Sequence, residues 1–236
     1  MQAEAFFDRV RDSLIVSAQA PDGHVLRDTP TIAMLARAAE LGGATAIRSG
    51  GYGGLDDIRA VRHAVAVPVI GLTKEGDTGV YITPTVASAE AVAEAGADVV
   101  AIDATDRPRQ DGSTFREQVA AVHALGKLAM ADIATAEEAL AAHRDGADLI
   151  STTLAGYTEH REKTEGPDLE LIREIRAALA QETDGAGVFL IGEGRFHTPE
   201  HVAQGKAAGA DAIIVGTAIT DIVWITSQFA AKAGAL

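Results

Sequence analysis

The sequence predicts an α/β chain that folds as a single (β/α)8 TIM barrel over residues 1–236. Three observations carry that expectation. Gly43-Ala44, Gly96-Ala97-Asp98, Gly146-Ala147-Asp148 and Gly209-Ala210-Asp211 each close an Ala-rich helical pattern and open a short apolar run. That pairing is a helix C-terminal glycine feeding a buried strand, and it repeats. Eight such runs alternate with helical segments, and their continuous hydrophobicity suits parallel strands covered on both faces. The length of 236 residues is close to the ~250 usual for this barrel.

Taken in order, the first strand is expected at Leu14–Ser17. Thr29-Pro30 then opens a helix, as an N-cap followed by proline at the first helical position. Thr45–Arg48 and Val67–Leu72 are the second and third strands. A further short run, Val80–Thr83, stands between the third strand and its helix. Val99–Asp103 follows a Gly-Ala-Asp signal, and Thr114 with Glu117 fits a capping box for the next helix. Leu128–Asp132 comes next, then the Thr135/Glu138 capping box. Leu149–Thr152, Val188–Ile191 and Ala212–Val215 complete the eight strands, with Thr198-Pro199 opening the last intervening helix. Two loops after strands are long, the Gly-rich Ser49–Leu55 and the charged Ala155–Pro167. Both belong to the face where barrel enzymes build their sites.

Composition narrows the function classes. No apolar run reaches the ~18 residues of a membrane helix, and the N-terminus lacks a basic stretch followed by an apolar core. Cysteine is absent, which excludes disulfides, thiolate metal sites and a cysteine nucleophile. A cytoplasmic protein fits these features. The formal net charge of −14 opposes binding to nucleic acid or to an anionic membrane. The expected partner is a small molecule, and an anionic one would need a local positive site.

Residues at the strand ends supply the candidates: Gln19, Arg48, Lys74, Asp103, Asp132, Thr152, Thr153, Glu193 and the Gly216-Thr217 turn. Lys74 and Glu193 are the expected proton-transfer pair, because a sheltered lysine can lose its proton and serve as a base. The competing reading is a structural ion pair. Gly192-Glu193-Gly194 and Gly216-Thr217-Ala218-Ile219 let backbone N–H groups approach a ligand such as phosphate, or serve tight helix–strand packing. Asp103 and Asp132 read as partners of a sugar hydroxyl or of Lys74 ahead of metal ligands. His197 and His201 read as a solvated helix face, so no metal is expected. Gly51-Tyr52-Gly53-Gly54 lacks the context of a dinucleotide fingerprint. Phe6, Phe7 and Phe229 are expected in the core or as a plug in the barrel floor.

The motifs also occur in a specific series: Leu14-Ile-Val-Ser-Ala-Gln-Ala20, Gly43-Ala-Thr-Ala-Ile-Arg48, Pro68-Val-Ile-Gly-Leu-Thr-Lys74, Ile82-Thr-Pro-Thr85 and Ala101-Ile-Asp-Ala-Thr105. Met130-Ala-Asp-Ile-Ala-Thr135, Thr152-Thr-Leu-Ala-Gly-Tyr-Thr158, Gly192-Glu-Gly-Arg195 and Val215-Gly-Thr-Ala-Ile-Thr220 follow. The series resembles the N-acetylmannosamine-6-phosphate 2-epimerases of bacterial sialic-acid catabolism, from about residue 14 to 229. The resemblance implies a cofactor-independent isomerase that interconverts N-acetylmannosamine 6-phosphate and N-acetylglucosamine 6-phosphate. It implies that Lys74 handles the proton at C2 and that Glu193 acts as acid/base. Gln19, Arg48 and Asp132 match substrate-site positions. Thr153, Gly194, Arg195, Gly216 and Thr217 complete the expected substrate contacts, and a homodimer is implied as an option. The chain departs from the family pattern at Asp221, where an arginine is usual, and in the loop after the second strand. An epimerase or isomerase of an unphosphorylated or differently substituted sugar and a non-catalytic sugar-phosphate-binding barrel are the alternatives.

Overall fold

A computed structural model describes residues 2–76, 79–182 and 188–234. Eight parallel strands close into a barrel in sequence order: β1 (Leu14–Ala18), β2 (Ala46–Gly51), β3 (Val69–Thr73), β4 (Val99–Asp103), β5 (Leu128–Asp132), β6 (Leu149–Ser151), β7 (Phe189–Glu193) and β8 (Ala212–Val215). Helix α1 (Ala3–Val10) precedes β1. The helices between strands are α2 (Thr29–Leu41), α3 (Gly54–Ala64), α4 (Val86–Glu94), α5 (Phe115–Ala124), α6 (Ala136–Arg144), α7 (Leu169–Glu182) and α8 (Pro199–Ala208). After β8 come the short α9 (Thr217–Thr220) and α10 (Ile222–Ala233).

The Gly-Ala-Asp signals do two jobs. Gly43, Gly96, Gly146 and Gly209 all have φ between 96° and 114°, a left-handed conformation that costs a glycine little at a helix end. The following aspartates then lock neighbouring strands. Asp98, Asp148 and Asp211 each accept from a backbone N–H of the preceding strand, at Val69, Ala129 and Leu190. Each also meets a basic side chain: Arg62, His123 and Arg176 respectively.

Strand alternation separates two buried layers. Val16, Ile47, Val69, Val100, Ala129, Ile150, Leu190 and Ile213 pack outward against the helices. Ile15, Ala46, Ile70, Val99, Leu128, Leu149, Phe189 and Ala212 face into the barrel. Phe6 and Val10 of α1 join this inner layer with no exposed surface, and Phe7 stacks on Phe189 with ring centroids 4.7 Å apart. The floor is thus plugged by α1. Phe229 is not part of it: the ring is 72% exposed on α10.

Several boundaries differ from the sequence expectation. β2 runs on through Gly51, so the loop expected at Ser49–Leu55 shrinks to Tyr52 and Gly53. Ser49 is fully buried and donates to Ala18 O, while Gly50 and Gly51 pair in register with Leu72 and Thr73. Asp28, not Thr29, caps α2, because the carboxylate accepts the N–H of Thr31. The Val80–Thr83 run forms an antiparallel bridge, Ile82 against Lys74, that braces the end of β3.

Candidate active site

Following the inner parity upward places most strand-end candidates. From Ile15 it reaches Ser17 and Gln19; from Ala46, Arg48; from Ile70, Leu72 and Lys74. On the far side it reaches Asp103, Asp132, Ser151 with Thr153, Glu193 and Gly216. Thr152 and Thr217 have the opposite parity, and the Thr152 hydroxyl donates to Glu193 O at 2.8 Å. A cavity of about 340 Å3 at this end is lined by Gln19, Lys74, Thr153, Glu193, Gly194, Arg195, Gly216 and Thr217, together with Tyr52, Tyr157, His197 and Asp221. Arg48 and Asp132 lie beneath it, 1% and 0% exposed.

Arg48 holds the floor. Its Nη1 and Nη2 donate to the two oxygens of Asp132 at 3.0 and 2.6 Å, a bidentate pair. Nη1 also donates to Glu193 Oε2 at 2.6 Å and to Thr153 Oγ1 at 3.1 Å. Thr153 Oγ1 lies 2.7 Å from Asp132 and 2.9 Å from Glu193, so its single proton bridges toward one carboxylate at a time. Burial alone would lower the basicity of Arg48, but Asp132 and Glu193 together raise it. The guanidinium therefore stays charged. Its Nε is buried without a partner.

Glu193 is the part of this network that reaches the cavity. Its hydrogen bonds from Arg48, Ser151 and Thr153 all fall on Oε2. Among the described residues Oε1 takes no hydrogen bond, and it is not one of the buried unpartnered atoms. Burial pushes the carboxyl up, Arg48 pulls it back, and the charge of Asp132 adds to the rise. Lys74 moves the other way: burial lowers it first, the charge of Arg48 lowers it further, and Glu193 and Asp132 offset part of this. Lys74 and Glu193 do not form the structural ion pair that would have competed with a chemical role. Among the described residues the Lys74 ammonium has no hydrogen-bonded or ionic partner; it sits 4.5 Å from the centroid of the Tyr52 ring. A lysine shifted down and a carboxyl shifted up thus face one cavity, an arrangement suited to proton transfer.

Other candidates have different surroundings from those the sequence suggested. Arg195 donates from Nε to Gly166 O, from Nη1 to Ala155 O and from Nη2 to Thr164 Oγ1. Its guanidinium thereby pins the β6–α7 loop. Gln19 donates to Ser17 Oγ at 2.8 Å. Asp103 sits outside the cavity, paired with Arg107 and Thr105. His197 precedes α8 and packs its ring 4.7 Å from Trp224, while His201 Nδ1 accepts the His197 N–H; this is not the solvated helix face expected. Asp221 caps α10 by accepting the Trp224 N–H at 2.9 Å, and its Oδ1 lies 3.2 Å from His24 Nε2. Among the described residues one cluster has metal-ligand spacing, Asp106, Glu138 and His160. It lies outside this cavity, and His160 is raised by its bond to Glu138, so the imidazole serves as a donor there.

Sequence reading missed Tyr52, Tyr157 and His24. The two tyrosines come from loops whose course is set by glycine backbone and by Arg195, and no local signal reveals that.

A closed barrel with Lys74 and Glu193 on one cavity at the C-terminal ends of β3 and β7 has the architecture of a (β/α)8 enzyme. The family model described as "NanE: Putative N-acetylmannosamine-6-phosphate epimerase" matches residues 32–235, and the chain belongs to this family. A Corynebacterium glutamicum (strain R) relative is 59% identical over 97% of this chain and 96% of its own. A Cutibacterium acnes relative is 46% identical over 95% and 96%. Both carry the name "Putative N-acetylmannosamine-6-phosphate 2-epimerase". The solved structure of the N-acetylmannosamine-6-phosphate 2-epimerase from Clostridium perfringens superposes with a TM-score of 0.88 at 36% identity, covering 96% of this chain and 95% of that one.

Proposed function

We propose that the chain is a 2-epimerase that interconverts N-acetylmannosamine 6-phosphate and N-acetylglucosamine 6-phosphate. The observation that carries this reading is the pair Lys74 and Glu193 on one cavity, not bonded to each other and with opposite shifts. C2 of the open-chain sugar lies beside the C1 aldehyde, so loss of its proton gives an enolate. Lys74 takes the C2 proton, and Glu193 exchanges protons with the sugar, at C2 and in opening the ring. Each such group contributes ~10²–10⁴-fold. Arg48, held by Asp132, fixes Glu193 in place, and Gln19 and Thr153 offer hydrogen bonds to hydroxyls. Backbone at Gly194, Gly216 and Thr217 is assigned to the phosphate. No step calls for a metal or organic cofactor.

The enzyme incubated with N-acetylmannosamine 6-phosphate in D2O is expected to place deuterium at C2 and to yield the epimer. Binding without exchange would instead make it a sugar-phosphate-binding barrel. A second reading, an epimerase of an unphosphorylated sugar, is favoured by one observation: the Asp221 carboxylate lines the cavity, and it would repel a dianion. Asp221→Asn keeps an N-cap of similar strength and removes the charge. Under the phosphate reading it raises kcat/KM on the 6-phosphate. A wild type that prefers the free sugar, with the order reversed in Asp221→Asn, decides for the second reading.

The lack of cysteine supports a cytoplasmic enzyme, and the net charge of −14 supports a small-molecule partner over nucleic acid. For a homodimer, the support lies in α10: Ile222, Val223 and Phe229 are 58%, 53% and 72% exposed, and the helix has no buried residue. Such a patch is expected to be covered by a second copy, which light scattering of the purified protein measures.

A further inference from the structure

The Gly-rich segment after Arg48 is not used by the chemistry above, yet it ends at the base. β2 and β3 run in register to Gly51 and Thr73, and Lys74 N donates to Gly51 O at 3.1 Å. The two strand ends are therefore fixed to each other immediately below Tyr52 and Lys74. Gly53 N donates back to Gly50 O at 3.2 Å, closing a four-residue turn with Tyr52 at its third position.

That turn admits little variation. Gly50 has φ 112°, and a Cβ there would stand 2.0 Å from Leu72 O; Gly51 has φ 58°, and a Cβ would stand 2.2 Å from Gln19 Oε1. A Cβ on Gly53 would meet the Asp57 carboxylate at 2.0 Å. Asp57 itself is buried and held by Arg27 and Thr29. The backbone around Tyr52 is thus fixed from three sides, and its ring is delivered to one place: 4.5 Å from Lys74 Nζ. Lys74 has no other close partner for its charge among the described residues. A lysine stem with four rotatable bonds and an unbonded head would otherwise sample many rotamers.

We propose that Tyr52 is the positioning residue for Lys74: its ring face, fixed by the Gly50–Gly53 turn, holds the ammonium over the cavity and stabilises the charged form. The attraction is that of a cation for an aromatic face within ~6 Å. It opposes burial and the positive charge of Arg48, the two influences that lower Lys74. It acts alongside Glu193 and Asp132, the carboxylates that favour the charged form. The balance keeps a base that releases its proton without losing its place. The catalytic part of this inference rests on Lys74 being the base; the contact between ring and ammonium does not.

The test separates the two. Tyr52→Leu retains apolar cover but removes the aromatic face, and Tyr52→Phe retains the face. Lys74 is titrated directly by NMR of 13C-methylated lysines, with assignment from Lys74→Arg, so this readout needs no turnover. Tyr52→Leu is expected to lower the Lys74 midpoint by about half a unit to one and a half units, while Tyr52→Phe stays with wild type. The basic-going limb of kcat/KM against pH is expected to move by the same amount. An unchanged Lys74 midpoint in Tyr52→Leu, or a Tyr52→Phe variant that behaves like Tyr52→Leu, overturns the proposal. A midpoint that moves while the kcat/KM profile stays fixed leaves the ring contact standing and removes Lys74 as the base.

Discussion

Arg48→Met isolates what the buried guanidinium does. Methionine fills a similar volume and needs no hydrogen bonds, so the change tests charge with little cavity formation. It also removes the unpartnered Nε, a small gain. Against that gain, Asp132 loses a bidentate partner at 3.0 and 2.6 Å while 0% exposed, and Glu193 loses its 2.6 Å donor. Removing one side of a buried pair costs about 3–5 kcal/mol, against a total stability of ~5–15 kcal/mol. A chain of this size loses ~2–4 °C of Tm per kcal/mol, so the midpoint is expected to fall by roughly 6–20 °C. The double variant Arg48→Met/Asp132→Leu removes the orphaned charge as well. It is expected to recover more than ~1 kcal/mol over the single, a coupling typical of contacting residues. Urea unfolding followed by circular dichroism supplies both numbers, provided the slope stays constant. A single variant within ~1 kcal/mol of wild type, or a double no more stable than the single, refutes the argument that Arg48 neutralises a buried pair.

Lys74→Ala is expected to abolish C2 proton exchange at nearly unchanged Tm, because its ammonium opens onto the cavity and has no hydrogen-bonded or ionic partner among the described residues; exchange within tenfold of wild type counts against it. Glu193→Gln keeps shape and hydrogen bonding but cannot trade a proton, so turnover should fall far more than binding weakens, and a loss confined to KM would make Glu193 a sugar-positioning group. His160 is raised by its 2.7 Å bond to Glu138. The stability it lends the β6–α7 loop is therefore complete below its ordinary value near ~6.5 and is lost as pH climbs through the raised value. Hydrogen exchange in residues 155–167, corrected for its intrinsic pH dependence, should accelerate between pH 6 and 9 in wild type and show no such step in His160→Gln.

The barrel and its strand-end residues were legible because two local signals repeat: glycine at the helix ends and alternation along each strand. Once Ile15, Ala46 and Ile70 face inward, Gln19, Arg48 and Lys74 must follow. What alternation does not give is depth. Arg48 and Lys74 share the inner parity, yet one lies beneath the cavity and the other opens onto it. That difference comes from stagger around the barrel and from partners about 85 to 145 residues away. Ser49–Gly51 was misread as loop because glycine normally weakens a strand; here it lets the backbone pass Leu72 O. Arg195 reads as a substrate contact and does line the cavity; its further carbonyl partners, Ala155 and Gly166, lie 40 and 29 residues off and leave no local signal. Asp221 carried a readable N-cap signal, an aspartate directly before an apolar helical run, which the contrast with the usual arginine obscured.

The charges of the site explain why two groups with opposite shifts can share one cavity. Arg48 and Asp132 neutralise each other through a bidentate pair that has no access to the cavity. Of the charged groups on the cavity, which include Arg195 and Asp221, Lys74 and Glu193 are the two that the proposed reaction uses. With Lys74 charged and Glu193 ionised, the pair sums to zero; with the proton moved so that both are neutral, it again sums to zero. The two states carry the same net charge; the ionised one costs the desolvation of two separated charges, which their attraction offsets in part. Under the proposed reaction, Lys74 gains a proton from C2 as the enolate forms, and Glu193 gives one up as the enolate is quenched. The first step creates a positive charge on Lys74 and a negative charge on the enolate; the second moves that negative charge to Glu193, so the net charge stays at zero. Arg48 keeps its charge throughout, and its bond to Oε2 lets Glu193 ionise without leaving its place. An arginine that lines no part of the cavity thus governs the acid that does.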